Sequence, residues 1–283
     1  MDVEIRQLRA LLAVLDTGTF TGAATALHTS QASVSRTVAA LERALGAPVL
    51  HRTTREVAPT PVGRRVAAHA RRVLEEVAAV RRAAAEARGD LRIGYAWAAL
   101  GRHTTTAQRR WAAEHPGSAL TLVQSNTPSA GLLEGAADAG VVRRPVDDPR
   151  LRTALLGTEG RVAAMPADDP LARRRSVRLA DVAGRTVAVD VLTGTTTEGL
   201  WPPPEAPARR PVRGVDEWLT AIAAGQAVGV SAEGTAAQHP RPGVVYRPVR
   251  DAPRVRVLLA WWADSPPPAL EPFVALVWEL YGR

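Results

Sequence analysis

The stretch GTFTGAATALHTSQASVSRTVAALERALG, residues 18–46, decides how the first part of this chain folds. Thr19 can cap a short helix that carries two adjacent alanines, and a tight break follows at His28-Thr29. Ser30 can cap the next helix, and Gly46 can end it because glycine readily adopts the left-handed backbone that closes a helix. Two short helices with small residues at their crossing and a brief turn between them predict a helix-turn-helix.

The second of these helices has one apolar and one polar face. Its apolar positions recur three or four residues apart and predict a buried side made of Val34, Val38, Leu41 and Leu45. A recognition helix needs hydrogen-bonding side chains near its start, where glutamine can pair with adenine and arginine with guanine in the major groove of DNA. An ordinary amphipathic helix is the alternative interpretation. The candidate DNA-contacting residues here are Thr29, Ser30, Gln31, Ser33, Ser35 and Arg36.

The following segment, residues 49–63 (VLHRTTREVAPTPVG), predicts a small hairpin, or wing. Two short β-prone pieces, Val49–His51 and Glu56–Ala58, flank a threonine pair. Arginine at such a tip suits phosphate oxygens, because its planar guanidinium matches their geometry. The candidate DNA-contacting residues of the wing are Arg52, Thr53, Thr54 and Arg55.

A long helix is predicted after the wing. Thr60 can cap it, Pro61 suits its first position, and the pattern continues from Val62 to about Arg88. Its small apolar residues alternate in steps of four and three, as in a helix that pairs with a partner. The alternative is a helix packed on its own domain. The candidate dimerisation residues are Val66, Ala70, Val73, Val77 and Val80.

Composition limits the function classes. The 283 residues carry a formal net charge of +8, and all 36 basic residues are arginine. Residues 31–72 hold eight of these arginines against two glutamates, and such a dense positive block favours nucleic acid as a partner. The chain has no cysteine, which excludes disulfides, cysteine-based zinc sites and thiol catalysis.

Other sequence signals bear on catalysis and location. The six histidines show no metal-ligand spacing, and no GxSxG, HExxH, GxGxxG or P-loop pattern is present. We therefore expect no enzyme, catalytic residue, metal site or cofactor. No run of about 18 apolar residues could span a bilayer, and the amphipathic start MDVEIRQLRA does not resemble a signal peptide. The expected location is the cytoplasm, without membrane attachment.

Residues 8–63 resemble the DNA-binding region of the LysR-type transcriptional regulators. The matching features, in order, are Ala23-Ala24, Leu27, Ser30-Gln31, Ser35-Arg36, Leu41-Glu42, Leu45-Gly46, Arg52-Thr53, Arg55, Thr60 and Gly63. This sequence departs from the family at three packing positions. Ala32 stands in place of the usual proline, Leu50 in place of an aromatic residue and Pro59 in place of a leucine. Such departures bear on the geometry of the wing.

Beyond residue 90, strand and helix patterns alternate, which predicts an α/β sheet. Asp90–Tyr95 and residues 120–124 are predicted as strands, Thr104–His115 as a helix, and residues 131–142 as a helix followed by a buried strand. This part is similar to the regulatory domain of the same family. Residues 221–232 resemble its helix-turn-strand, and residues 255–264 its returning strand.

The resemblance implies an α/β protein with an N-terminal winged helix-turn-helix, a long linker helix and a regulatory domain like the type II periplasmic binding proteins. The implied domains are residues 1–60 for DNA binding, 61–88 for dimerisation and 89–283 for effector binding. Within the last, subdomain I would comprise residues 89–161 and 262–283, and subdomain II residues 162–261.

In this family a small effector binds between the two regulatory subdomains. Pockets at strand ends and helix N-termini favour anions, because free backbone N–H groups point into them. The hydroxyl groups at the matching positions suit a carboxylate or another polar ligand. The alternative is a structural role, which is the commoner role for each of these residues taken singly. These positions are Trp97, Ala98 and His103, then Ser125 and Asn126, and finally Thr193, Gly194, Thr195 and Thr196.

The resemblance implies a sequence-specific regulator of transcription whose activity a small molecule modulates. The expected partners are double-stranded DNA, a polar or anionic effector, further copies of the chain in a homodimer or homotetramer, and RNA polymerase if the protein activates. One alternative is a regulator without an effector that a protein partner controls. A solute-binding protein or an enzyme is a further alternative, and the fused DNA-binding region argues against both.

Overall fold

A computed structural model of the chain describes residues 2–52, 57–86, 89–202 and 205–282. The chain divides into two units, one of residues 1–84 with 133–136 and the other of residues 85–132 with 137–283. Each unit has its own hydrophobic core.

The first unit opens with the predicted helix-turn-helix. The Thr19 hydroxyl accepts the N–H of Gly22 at 3.0 Å, and the Ser30 hydroxyl accepts that of Ser33 at 3.2 Å, so both predicted caps are confirmed. Gly46 ends the third helix with a φ of 66°. The helices are α1 (Ile5–Thr17), α2 (Phe20–Ala26) and α3 (Gln31–Leu45).

The buried face predicted for α3 is confirmed at three of its four positions. Val34, Val38 and Leu41 are at most 2% exposed in the core shared with α1 and α2. Leu45 is 36% exposed instead, because it lies in the last turn of the helix, beyond that core.

A wing and a long helix complete the first unit. Strands β1 (Leu50–Arg52) and β2 (Val57–Pro59) pair antiparallel, with His51 opposite Ala58. Both strands begin one residue later than predicted. Helix α4 (Pro61–Glu86) follows.

Thr60 anchors the start of α4 in two directions. Its hydroxyl accepts the N–H of Gly63 at 2.8 Å and donates to the carbonyl of Pro48 at 2.9 Å. The predicted cap is therefore confirmed, and it also ties the helix to the segment before the wing. Thr60 is 4% exposed, so these bonds satisfy a buried polar group.

The second unit alternates strands and helices, as predicted. In chain order it contains β3 (Leu91–Tyr95), α5 (Thr104–Glu114), β4 (Leu120–Gln124), β5 (Ala139–Val142), β6 (Leu151–Glu159), β7 (Arg161–Pro166), α6 (Leu179–Ala183), β8 (Val187–Asp190), β9 (Arg209–Val212), α7 (Gly214–Ala223), β10 (Gly229–Ala232), α8 (Glu233–Gln238), β11 (Val244–Val249), β12 (Val255–Trp262) and α9 (Leu270–Tyr281).

These strands form two groups of sheets, which define two subdomains. In subdomain I the order is β4-β3-β5-β12-β6, with β3, β4 and β5 parallel and β12 antiparallel to both neighbours. In subdomain II, β10-β7-β11 is antiparallel and β8-β9 is parallel. The N–H of Ala188 on β8 donates to the carbonyl of Val228 at 2.8 Å and joins these two sheets.

The chain crosses between the subdomains twice. The first crossing is at Gly160, between β6 and β7, and the second is at residues 250–254, between β11 and β12. The predicted boundary at residue 262 is therefore wrong. Strand β12 pairs along its whole length with β6 and so lies entirely in subdomain I.

The helix predicted from residue 131 is also absent from this part of the described chain, where residues 128–135 form turns. Ala130, Gly131 and Gly135 have φ values of 53°, 86° and 67°. A right-handed helix requires negative φ, so these three residues exclude it. The buried strand predicted to follow is confirmed as β5.

Gly94 in β3 provides a test of the packing in subdomain I. A Cβ at this position would overlap the carbonyl oxygen of Ala130. We expect Gly94→Ala to lower the free energy of unfolding of the second unit by at least about 1–3 kcal/mol, as overpacking does. Chemical denaturation measures this effect. Gly117→Ala is the control, since its Cβ would meet no atom within 4 Å; equal stability of the two variants would contradict the packing described.

Candidate functional site

The polar face predicted on α3 is open to solvent. Gln31 and Arg36 are exposed, and Ser33 and Ser35 are half-buried. Arg36 forms no hydrogen bond or ion pair with any other described residue. Its guanidinium is therefore available to an external acceptor. In the preceding turn Thr29 is exposed as well.

A carboxylate holds the wing against α3. Glu42 accepts the backbone N–H groups of Val49 at 2.9 Å and Leu50 at 3.3 Å. This contact fixes where the first wing strand leaves the recognition helix. The predicted tip residues Thr53, Thr54 and Arg55 and the side chain of Arg52 lie outside the described part, so their role stays a prediction.

Helix α4 has a buried row and an outward row. Ala67, Leu74 and Ala78 are at most 3% exposed. On the other side, Val73 is 41% and Val80 is 72% exposed, which is unusual for valine. The half-buried Val77 continues this outward row, whereas Val66 packs against the core of the first unit, contrary to its predicted place at the dimer contact.

The expectation that Ala70 faces a partner is wrong for this chain. Ala70 is 1% exposed and belongs to the core of the first unit with Val38 and Leu41. Ala70 lies between the two rows of α4. Its side chain is a single methyl group, so the neighbouring core residues can bury it completely. Both alternatives for α4 therefore hold in part, because one row packs on its own domain while the other has no cover among the described residues.

A cavity of about 260 Å³ lies between the two subdomains. Four predicted effector-binding residues line it, namely Trp97 after β3 and Thr193, Gly194 and Thr195 after β8. The carboxyl ends of strands from both subdomains thus meet at this cavity, as in other open α/β sheets that bind ligands.

The remaining predicted effector residues do not line this cavity. The Asn126 side chain lies 2.9 Å from the hydroxyl of Thr193, and the Ser125 hydroxyl lies 3.4 Å from that of Thr127. Ala98 is fully buried. The hydroxyl of Thr196 donates to the carbonyl of Val230 at 2.6 Å, so it forms a buried contact inside subdomain II.

His103 does not reach this cavity, so its assignment is wrong. It lines a different cavity beside Tyr281, with the two rings 4.6 Å apart. Burial and the neighbouring Arg102 lower the pKa of its imidazole. The short helical turn that begins at Gly101 carries His103 away from the end of β3.

Asp190 organises the wall of the cavity. Its carboxylate is 2% exposed and accepts the indole N–H of Trp97 at 3.1 Å and the hydroxyl of Thr193 at 2.6 Å. The ring of Trp97 meets that of Trp218 edge-on, with centroids 5.3 Å apart. Trp97 therefore leaves subdomain I and packs into the core of subdomain II.

Sequence reasoning missed five polar residues of the cavity. Arg143, Arg144 and Thr127 line it from subdomain I, and Ser231 and Thr235 from subdomain II. A signal for the arginines existed, because they directly follow the buried strand β5. The carboxyl ends of parallel neighbours share one edge of a sheet, so the residues after β5 belong beside those after β3 and β4.

No described helix is long and apolar enough to cross a membrane. No cluster of His, Asp or Glu within the described ranges could hold a metal ion.

Comparison with known proteins identifies the class. Residues 5–64 match the family described as "Bacterial regulatory helix-turn-helix protein, lysR family". Residues 84–281 match the family described as "LysR substrate binding domain". The chain therefore belongs to the LysR family of bacterial helix-turn-helix regulators.

Individual relatives agree with this assignment. A "Probable hydrogen peroxide-inducible genes activator" of Mycobacterium avium is 35% identical over 179 residues, which cover 61% of this chain and 58% of that protein. The Hca operon transcriptional activator HcaR of Escherichia coli K12 is 29% identical over 98% of both chains. Because these relatives are regulators, they agree with the expectation that the chain is not an enzyme.

A solved structure shares the fold over the full length. The crystal structure of full-length CbnR complexed with its target DNA has a TM-score of 0.58 and 25% identity, and the match covers 99% of this chain and 100% of that one. The predicted fold class is thereby confirmed.

The Trp97 contact can be tested by replacing its indole with a smaller ring that has no N–H group. Trp97→Phe leaves a ring in the core but takes a donor from the buried Asp190. Since hydrogen bonds to charged groups contribute about 1.5–3 kcal/mol, and the smaller ring also leaves a cavity, we expect the free energy of unfolding to fall by at least this amount. Denaturation followed by circular dichroism measures it.

Trp278→Phe is the matched control, because this indole is 40% exposed and donates to a carbonyl at the surface. Its effect should stay within about 0.5 kcal/mol. A Trp97→Phe variant as stable as this control would show that the bond to Asp190 contributes nothing.

Proposed function

We propose that this protein is a transcriptional regulator in which residues 1–60 bind DNA, residues 61–88 pair two chains and residues 89–283 bind a small effector. The main support for the proposal is that the outer face of α3 is polar and exposed to solvent. This face presents Gln31 and Arg36, which have no hydrogen-bond partner among the described residues, beside a wing whose first strand is bonded to Glu42. Membership of the LysR family supports the same function.

On DNA, α3 would enter the major groove, with Gln31, Ser33, Ser35 and Arg36 near base edges. Thr29, Ser30 and the wing would contact the phosphate backbone. Two α3 helices in a dimer reach successive major grooves when they lie about 34 Å apart, or one helical turn of DNA. The operator would thus be an interrupted inverted repeat.

Dimerisation would use the outward row of α4. Val73, Val77 and Val80 form an apolar strip that pairing would remove from water. A second pairing, through the regulatory domains, would give a tetramer. Such assemblies allow a ligand to shift the balance between geometries that bend DNA differently.

The cavity between the subdomains favours control by a bound small molecule over control by a protein partner alone. One relative is named a probable hydrogen peroxide-inducible genes activator. This chain has no cysteine, so thiol oxidation cannot be its own signal. We expect the protein to act in the cytoplasm and to contact RNA polymerase where it activates.

The DNA-binding role is tested with Arg36→Ala. A specific site is first selected from a random DNA library with the full chain, and gel mobility shifts then compare that site with a scrambled one. We expect the variant to lose about 1–3 kcal/mol of binding to the specific site, since a bidentate contact to guanine is removed. Binding to the scrambled site should change little.

Arg43→Ala is the matched control, because Arg43 is exposed on the same helix but lies near its opposite end. Equal losses on both DNAs would make Arg36 a phosphate contact. Failure of the full chain to enrich any site would refute the proposed function.

The dimer is tested by placing charge on the exposed row of α4. Val73→Glu combined with Val80→Glu should leave the single chain folded, since both side chains are already exposed. Sedimentation should then show loss of the dimer, because burying two unpaired carboxylates is costly. A control with Val3→Glu and Ile5→Glu, which are 44% and 42% exposed, should keep it. An intact dimer in the α4 variant would refute the assignment.

A further inference from the structure

Helix α8 (Glu233–Gln238) of subdomain II begins at the first crossing between the subdomains. The backbone N–H of Glu233 donates to the carbonyl of Gly160 at 3.0 Å, and the Glu233 carboxylate accepts the N–H of Gly160 at 3.0 Å. The crossing is therefore bonded in both directions to the first residue of the helix. Because α8 has fewer than two turns, its last residue lies close to the crossing and moves with it.

The last residue of α8, Gln238, bonds to the segment that follows β3, residues 97–104. Its side-chain oxygen accepts the N–H of Ala99 at 3.2 Å. Its side-chain nitrogen donates to the carbonyl of Gly101 at 3.2 Å and to the hydroxyl of Thr104. One amide offers both a donor and an acceptor, so it can bond to an N–H and a C=O of the same segment.

His239 adds a second contact to the 97–104 segment. Its ring Nε2 lies 2.6 Å from the carbonyl oxygen of Trp97. A carbonyl can only accept, so Nε2 carries the proton in this contact. The hydroxyl of Tyr246 donates to the carbonyl of His239 at 2.8 Å and holds the backbone there. Burial raises the pKa of the Tyr246 hydroxyl to about 12, so this donor keeps its proton at physiological pH.

Two buried glycines bring α8 and the 97–104 segment into close contact. A Cβ on Gly101 would lie 3.0 Å from the Cα of Gly234, and a Cβ on Gly234 would lie 2.8 Å from the carboxylate of Glu159. Neither position has room for a side chain, which is a common reason for glycine where two backbones approach. The polar contacts of Gln238 and His239 therefore border a tightly packed junction.

The 97–104 segment also belongs to the core of subdomain I. Leu100 is 1% exposed in that core, which it shares with β3, β5 and α9. The cores of subdomain II consist of other residues, apart from Trp97. Each bond from Gln238 or His239 to the segment thus connects one subdomain to the other. The bonds join neutral groups and are few, so they can break without unfolding either core.

We infer that Gln238 and His239 form a latch, which holds the 97–104 segment of subdomain I on subdomain II and must open before the subdomains turn about their crossings. The latch is a conformational device of the second unit, and it does not depend on the proposed function. Because α8 is bonded to Gly160 at one end and carries the latch at the other, a turn at the crossing pulls directly on the latch.

Distances between two spin labels, measured by electron paramagnetic resonance, test the latch. The chain has no cysteine of its own, so labels attach only where a cysteine is introduced. Ala112→Cys in α5 of subdomain I and Ala180→Cys in α6 of subdomain II place them at exposed positions of the full chain. Labelled chains are mixed with an excess of unlabelled ones, so that only distances within one chain count. We expect one narrow distribution of distances.

Gln238→Met combined with His239→Phe keeps side chains of similar size but removes their polar groups. We expect this double variant to widen the distribution about twofold or more, because subdomains that are held by fewer bonds sample more arrangements. Each single variant should widen it less. Gln226→Met is the matched control, since Gln226 is an exposed glutamine of the same subdomain, and it should leave the distribution narrow.

Circular dichroism confirms that each variant is folded, and the two single variants replace the double one if it does not fold. Two results would overturn the inference. One is a distribution in the latch variants as narrow as that of Gln226→Met. The other is a labelled chain with Gln238 and His239 intact whose distribution is already as wide as that of the latch variants.

Discussion

The cleft between the two subdomains depends on the buried carboxylate of Asp190. Burial of an ionised group is costly unless hydrogen bonds replace the lost water. Here the donors come from several segments, including the indole of Trp97, the hydroxyl of Thr193 and the N–H of Leu192. Because Trp97 belongs to subdomain I and the other donors to subdomain II, satisfying one carboxylate fixes the loops that form the cavity wall.

A second buried charge, that of Arg161, lies where the chain crosses between the subdomains, next to the cavity wall. Arg161 donates to the carbonyls of Pro253 at 2.9 Å and Thr195 at 3.0 Å. It thus joins the start of β7, the loop before β12 and the cavity wall. Burial lowers the pKa of its guanidinium, but an arginine stays charged at any physiological pH. The subdomains are therefore linked by the chain at the crossings and by polar contacts at the cleft.

Features fixed by short-range contacts could be predicted from the sequence. The caps at Thr19, Ser30 and Thr60 act on N–H groups three residues ahead, and their residue types identify them directly. The strands and helices of the second unit follow for a similar reason, since apolar periodicity is local. Periodicity failed at residues 131–136, because positive φ at Gly131 and Gly135 does not show in a hydrophobic pattern.

The candidate site was harder to predict because its chemistry depends on contacts distant in sequence. That Arg143 is neutralised by Glu159 while Arg144 is not depends on which way each side chain points from β5. Ala70 and His103 were misplaced for the same reason, since one lies between two faces of α4 and the other follows a turn after β3. The direction in which each of these side chains points cannot be predicted from residue type and spacing alone.

We propose that two recognition helices, paired through α4, bind DNA under the control of a ligand-binding domain. Hydroxyl-radical footprinting of the full chain on a selected DNA site tests it most directly. We expect two protected segments on one face of the duplex, with centres about 10 base pairs, or a multiple of that, apart. A single protected segment, or uniform protection along the DNA, would contradict it.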